Sequence, residues 1–324
     1  MIDQAPKVHP TRWLTAILSA LILTTVTTQA ATTEQIEETL AVEPGGTLTI
    51  NVKRGSLEVV GQPGSNVEIS ITREIKASSK EDEEAYLTEN PVVIQQDGNQ
   101  VSITRDGKSG QGSGFGWFSK GPKESAEYTV TVPPQFHANL NTSGGSITVT
   151  GLQGNTRVNT SGGTIRMTDL NGTIQANTSG GSIRLSQCHG GTIAYTSGGS
   201  IKAEKGSGEL KLKTSGGSIT VNDHDGNVTG KTSGGSITVT MLAQPTAPCT
   251  LATSGGSVTA FLPADVAVDI DAATSGGKVY SDFPDAQPNP EKRTRLVAPI
   301  NGGGPTLRLK TSGGNVRIKK LGEA

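Results

Sequence analysis

Thr-Ser-Gly-Gly begins at Thr142, Thr160, Thr178, Thr196, Thr214 and Thr232, a period of 18 residues without drift. Looser copies begin at Thr253, Thr274 and Thr311, spaced by 21, 21 and 37 residues. A short fixed period means stacked units, each contacting only its neighbours. Any fold proposed for this chain has to repeat with that period.

Numbered from its Thr, the repeat carries Ile147, Ile165, Ile183, Ile201, Ile219 and Ile237 at position 6, continued by Val258, Val279 and Val316. Position 8 carries Val149, Met167, Leu185, Ala203, Val221 and Val239. With polar residues at positions 5, 7 and 9, this is the alternation of a half-buried strand. A second pair falls near positions 15 and 17, as in Ile174 and Ala176 or Leu210 and Leu212. Glycines at positions 3, 4 and usually 13 mark the corners, since glycine accepts positive φ. One rung cannot bury so few aliphatics, but rungs stacked about 4.8 Å apart place Ile on Ile. The expected fold is therefore all-β, a single-chain β-solenoid (β-helix) of 18-residue rungs. Right-handed winding is favoured, because the six-residue sub-repeat of left-handed hexapeptide coils is not visible. Glycine at 43 of 324 residues and aromatics at 3% suit thin coils. Collagen, with glycine at every third residue, is excluded. In the copy Thr178–Tyr195, Ile193 arrives one residue late, and a local bulge or re-registration is expected there.

The N-terminus has Lys7, His9 and Arg12, an apolar run from Trp13 to about Val26, and then Thr27-Thr28-Gln29-Ala30-Ala31. That is the pattern of a secretory signal peptide over residues 1–30, cut after Ala30. The run of about 14 residues is short of the roughly 20 that span a bilayer, so no integral membrane span is expected in the mature chain. Cleavage removes Asp3, Lys7 and Arg12, two cations and one anion, taking the formal charge from −1 to −2. Such a balance argues against nucleic-acid binding. Residues 31–135 read as strands and first rungs. Thr47–Val52, Ser56–Val59 and Val67–Ile71 resemble a degenerate rung pair. A short helix is expected over 78–89, capped by Ser78 or Ser79, with acidic residues in its first turn. A glycine-rich flexible loop, 106–123, carries Phe115, Trp117 and Phe118. These aromatics either cover an open end of the coil or form an exposed contact for a partner, glycan or membrane surface. Residues 136–324 form the Thr-Ser-Gly-Gly coil, with a proline-rich insertion at 282–306.

The order of these pieces resembles the bacterial putative-adhesin family. A Gly-Ser-Leu-Glu-Val rung comes first, then a short acidic helical excursion. Tyr128-Thr129-Val130-Thr131-Val132-Pro133 enters the Ser-Gly-Gly rungs, and a terminal Ile-Asn-Gly-Gly-Gly-Pro-x-Leu-x-Leu-x-Thr-Ser-Gly-Gly closes the chain. The resemblance implies a β-solenoid on the cell envelope, in the periplasm or at the surface, with a link to envelope stress in some members.

Chemistry is sparse. Cys188 and Cys249 sit three rungs apart, roughly 14 Å of axial rise, beyond the ~4.4–6.8 Å Cα separation of a disulfide. Cys188 shares position 11 with Leu152, Leu170 and Leu242 and reads as a small buried hydrophobe. Asp223-His224-Asp225 reads as a polar turn, two rungs from His189 and too far to share a metal with it. No phosphate loop and no Gly-x-Ser-x-Gly elbow occurs. No catalytic residue, cofactor or metal is expected. The candidate ligand contacts are Arg166, Arg184 and Lys202 at position 7 of consecutive rungs, with Phe115, Trp117 and Phe118. Three like charges about 4.8 Å apart repel and would be relieved by an anionic glycan or envelope polymer. Arg157, Lys211, Lys213 and Lys231 are outward on the second strand. The expected role is non-enzymatic recognition or scaffolding in the envelope. A carbohydrate-active β-helix enzyme is the alternative from another class, though the rungs lack clustered carboxylates. A self-associating structural rod is the third.

Overall fold

The computed structural model describes residues 24–28, 31–105 and 122–322. The expected aromatic contacts Phe115, Trp117 and Phe118 fall outside the described residues. Two long sheets, of 14 and 13 strands, face each other across one core. Each rung of the repeat gives one strand to each sheet, as in Ile165–Asn171 and Ile174–Thr178. Ile147, Ile165, Ile183, Ile201, Ile219 and Ile237 pair residue on residue down the first sheet and then meet Val258, Val316 and Val279. All of these side chains are at most 1% exposed. The β-solenoid is therefore the fold, and position 6 forms one apolar column rather than being shared between the faces of a sandwich.

The threonine at position 1 of the repeat, to which the sequence alternation assigns no face, is buried, and its hydroxyl joins the rungs. Thr160 Oγ1 donates to Gly145 O at 2.9 Å, Thr178 to Gly163 O at 3.0 Å and Thr214 to Gly199 O at 2.7 Å. The ladder continues through Thr253, Thr311 and Thr274, which bond to Gly235, Gly256 and Gly314. The glycines at positions 3 and 4 have a different cause from the one expected: none of them has positive φ. Position 4 needs glycine because the rungs touch there. A Cβ on Gly163 would lie 1.9 Å from Gly145 O, and one on Gly181 1.9 Å from Gly163 O. Position 13 does use positive φ, at Gly172, Gly190, Gly208 and Gly226.

Ile193 causes no bulge. Ile174↔Thr192 and Ala176↔Ala194 keep the register, so Thr192 fills position 15 in the core and Ile193 turns outward. Holding four ladder-paired residues in place is cheaper than slipping the strand, which would turn every side chain over. Thr192 is 3% exposed and its hydroxyl has no hydrogen-bond partner among the described residues. Thr192→Val should therefore raise stability by about 1–2 kcal/mol. A thermal melt that fails to rise would show that the hydroxyl is satisfied.

The sixth copy departs from its predicted face. Met241 pairs with His224 across a register shift and is buried, leaving Leu242 52% exposed. His224 is also buried, at 3% exposure, in the column that holds Leu170 and Cys188. The rung between them offers only Gly206, whose missing side chain makes room for the imidazole. The expected polar turn is instead the end of the strand Ile219–His224, with Asp223 in left-handed backbone, the His224 ring in the core and Asp225 bridged to Ser207.

The ends of the coil depart from sequence order. Thr47–Val52 and Ser56–Gly61 do form a rung, but they lie between Gln100–Arg105 with Lys123–Val132 on one side and His137–Thr142 with Ile147–Thr150 on the other. Asn66–Lys76 is not a rung, because it runs antiparallel between Ala31–Ala41 and Lys123–Val132. At the other end Thr306–Thr311 and Val316–Lys320 insert between the strands of 249–262 and those of 268–281. Within the insertion, Arg295–Ile300 pairs antiparallel with Val268–Thr274, while Phe283 and Ala286 are buried as a cap.

The one helix among the described residues, Lys80–Glu89, is capped by Ser79, whose side chain accepts from Asp82 N at 3.1 Å. It roofs a buried polar cluster. Arg73, fully buried, donates to Glu34 at 2.6 Å, Glu124 at 3.1 Å and Asn90 O at 3.0 Å. Arg105 pairs with the same Glu124 and donates to Tyr86 Oη at 2.6 Å.

Candidate functional site

Position 7 of the first sheet points to solvent, and strand register brings the expected cations together. Thr148↔Arg166, Arg166↔Arg184 and Arg184↔Lys202 are direct neighbours, followed by Thr220. Their spacing is that of adjacent strands, about 4.8 Å. Lys202 Nζ is drawn to Glu204 at 2.8 Å. Arg166 and Arg184 form no ion pair among the described residues. The column is therefore a flat row of two unpaired guanidiniums and one partly neutralised ammonium, flanked by threonine.

The second sheet presents a row of which sequence reasoning named only Lys213 and Lys231. At position 18, Asn141, Asn159, Asn177, Tyr195, Lys213 and Lys231 stand on successive rungs. Asn177 Nδ2 donates to Asn159 Oδ1 at 3.0 Å, Asn159 to Asn141 at 2.8 Å and Asn141 to Asn139 at 3.3 Å. Identical amides one strand apart form such ladders because the strand spacing is also a hydrogen-bond repeat. The signal was legible: three asparagines share position 18 in the aligned repeat. Tyr195 is 42% exposed, one of few large apolar side chains turned to water.

The corner between the sheets holds the residual titratable groups. His189 Nδ1 lies 2.8 Å from Ser207 Oγ, a contact of the nucleophile–base kind. The nearby carboxylate, Asp225, is aligned with Ser207 and lies two strands, roughly 10 Å, from His189. It cannot orient that imidazole. His224 Nε2 sits 3.0 Å from Gly208 O. Burial pulls its basicity below the usual histidine value, against the Gly208 carbonyl and the Asp225 charge. The ring is thus a neutral core element.

Both cysteines are free and buried. Burial pushes the Cys188 thiol up to about 11 and raises that of Cys249, so neither is a nucleophile at neutral pH. Among the described residues no group of three or more His, Cys, Asp or Glu side chains could hold a metal ion. No helix among them is long and apolar enough to cross a membrane.

Residues 47–319 match the family described as Toastrack DUF4097. Among curated proteins none matches the chain. Solved structures similar to it include a putative cell adhesion protein of Clostridium sporogenes, 12% identical, with 88% of this chain and 98% of that one covered and a TM-score of 0.22. A putative adhesin of Bacteroides fragilis is 13% identical, with 89% and 97% covered and a TM-score of 0.34. A putative lipid binding protein of Parabacteroides distasonis is 13% identical, with 89% and 96% covered and a TM-score of 0.38.

Proposed function

This chain belongs to the Toastrack DUF4097 family, matched over residues 47–319, and within that family we propose that it is an exported envelope protein that binds an anionic polymer without transforming it. The observation that carries the reading is the Arg166, Arg184 and Lys202 column. Like charges held in register on a rigid sheet are unfavourable by themselves, and guanidiniums without carboxylate partners are suited to phosphate, sulfate or carboxylate groups along a polymer. Export is supported by the leader-like residues 1–30 and the Thr28-Gln29-Ala30 cleavage pattern. Binding without turnover is supported by the His189 and Ser207 contact, in which no carboxylate among the described residues is hydrogen-bonded to the imidazole.

One preparation tests these points together. The protein is recovered from the export compartment and its N-terminus sequenced, with Ala31 expected. It is then applied to an immobilised sulfated glycan and eluted with salt, since screening weakens such contacts. Arg166→Ala with Arg184→Ala should elute at markedly lower salt than the parent. Equal elution of the two proteins would remove the column from the binding surface, and an N-terminus upstream of Ala31 would remove the leader assignment.

A further inference from the structure

The outward row of the second sheet changes chemistry along its length in a fixed order. It begins as an amide chain in which Asn177 donates to Asn159 and Asn159 to Asn141. The chain ends on Asn177, whose Oδ1 accepts from no donor among the described residues. An amide that donates becomes a better acceptor at its own oxygen, so the terminal carbonyl is the strong acceptor of the ladder. The next strand puts Tyr195 beside it, with its ring open to solvent. The two strands after that add Lys213 and Lys231 at the same position.

These two lysines, like Arg157, differ from the paired cations of this face. Lys211 pairs with Glu209 at 2.7 Å, and Arg295, Arg308 and Lys310 gather around Asp271 at 3.8, 3.1 and 3.6 Å. Lys213 and Lys231 have no carboxylate partner among the described residues, yet stand as direct neighbours.

A free acceptor, an exposed ring and two unpaired cations thus follow one another at about 4.8 Å intervals over roughly 14 Å. We infer that this row binds a polysaccharide bearing carboxylate groups, that is, a chain of uronic acid residues. Its ring hydroxyls donate to Asn177 Oδ1, a sugar face packs on Tyr195, and its carboxylates reach Lys213 and Lys231. A single-stranded nucleic acid also stacks on aromatics and contacts lysines, but it is held by a basic groove with several stacking platforms. One tyrosine and two lysines on an open face do not supply that. The site lies on the sheet opposite Arg166, Arg184 and Lys202, and it stands even if that column binds nothing.

The test is calorimetric titration of the full exported chain with a galacturonate tetramer, a neutral galactose tetramer and a single-stranded oligothymidylate. The uronide should bind and the neutral sugar should not. Tyr195→Ala should weaken uronide binding about tenfold while Tyr195→Phe retains it, since the ring face rather than the hydroxyl makes the contact. Lys213→Gln with Lys231→Gln should weaken it at least as much and flatten its salt dependence. Arg166→Gln with Arg184→Gln should leave it within about twofold. All three sites are exposed, and unchanged melting temperatures confirm that the fold is intact. Absence of uronide binding, equal binding by Tyr195→Ala, or loss only in the Arg166 and Arg184 variant would overturn the assignment. Equally tight binding of the oligothymidylate would overturn it too, by making the ligand a nucleic acid.

Discussion

Gly163→Ala should destabilise this protein by about 4 kcal/mol or more, whereas Gly162→Ala, one residue earlier in the same glycine pair, should change it by less than about 0.5 kcal/mol. The contrast follows from where each added methyl would go. On Gly162 the nearest atom is Gly144 O at 3.9 Å, ordinary contact, and on Gly163 it is Gly145 O at 1.9 Å. The obstacle is backbone of the neighbouring rung, which no side-chain rotation can clear. The rungs would have to separate, and the Thr160 hydroxyl bond to that same Gly145 carbonyl would go with them. In a stacked repeat each unit is stabilised by its neighbours, so a parting in mid-coil divides the core in two. Thermal melts should show a fall of roughly 10 °C for Gly163→Ala and almost none for Gly162→Ala. Similar melts for the two variants would mean that the corner is soft enough to move, against the close approach repeated at Gly181, Gly199 and Gly217.

The second large effect is expected at the N-terminal end. Arg73→Met should cost about 3–5 kcal/mol, because a buried ion pair that loses one member leaves an uncompensated charge behind. Here the stranded groups are Glu34, 16% exposed, and Glu124, fully buried. Arg105 still reaches Glu124, so the loss should be shared rather than total. Adding Glu124→Gln should therefore recover part of the stability, giving a double variant less damaged than the sum of the singles. Urea titrations of the three variants measure that coupling. Strict additivity would mean that Arg73 acts through packing alone. Tyr128, buried nearby with no partner for its hydroxyl among the described residues, has its phenol pushed up to about 12, chiefly by burial. It therefore carries no charge into this cluster.

The parts of the fold visible in the sequence were those that recur. Ile165, Ile183 and Ile201 announced a column because the same side chain meets itself at each turn of the coil. The cap at Ser79 was visible because local hydrogen bonding decides it. The parts that were hidden depend on a neighbour in space. Thr160 and Thr178 carry no signal of burial in the sequence; their role appears only once the carbonyl on the adjacent rung is known. Ile193 suggested a slip because alternation within one strand was weighed without the ladders on either side that hold it. His224 entered the core because Gly206, one rung away, vacates the space it fills. The position 7 cations were legible by simple alignment. The asparagine row was equally legible, but amides in a list of polar residues attract no notice until their donors and acceptors are joined.

The crossed order at the two ends bears on how the molecule resists being pulled apart. Residues 47–61 and 306–320 are wedged like inner slats, each clamped by a strand pair from farther along or farther back in the chain. Force drawn on Val316–Lys320 therefore meets a strand held by a ladder on each side, whereas Ala31–Ala41 lies toward the open edge of its sheet. Loosening the inner layer means breaking both flanking ladders together, while the edge can peel one strand at a time.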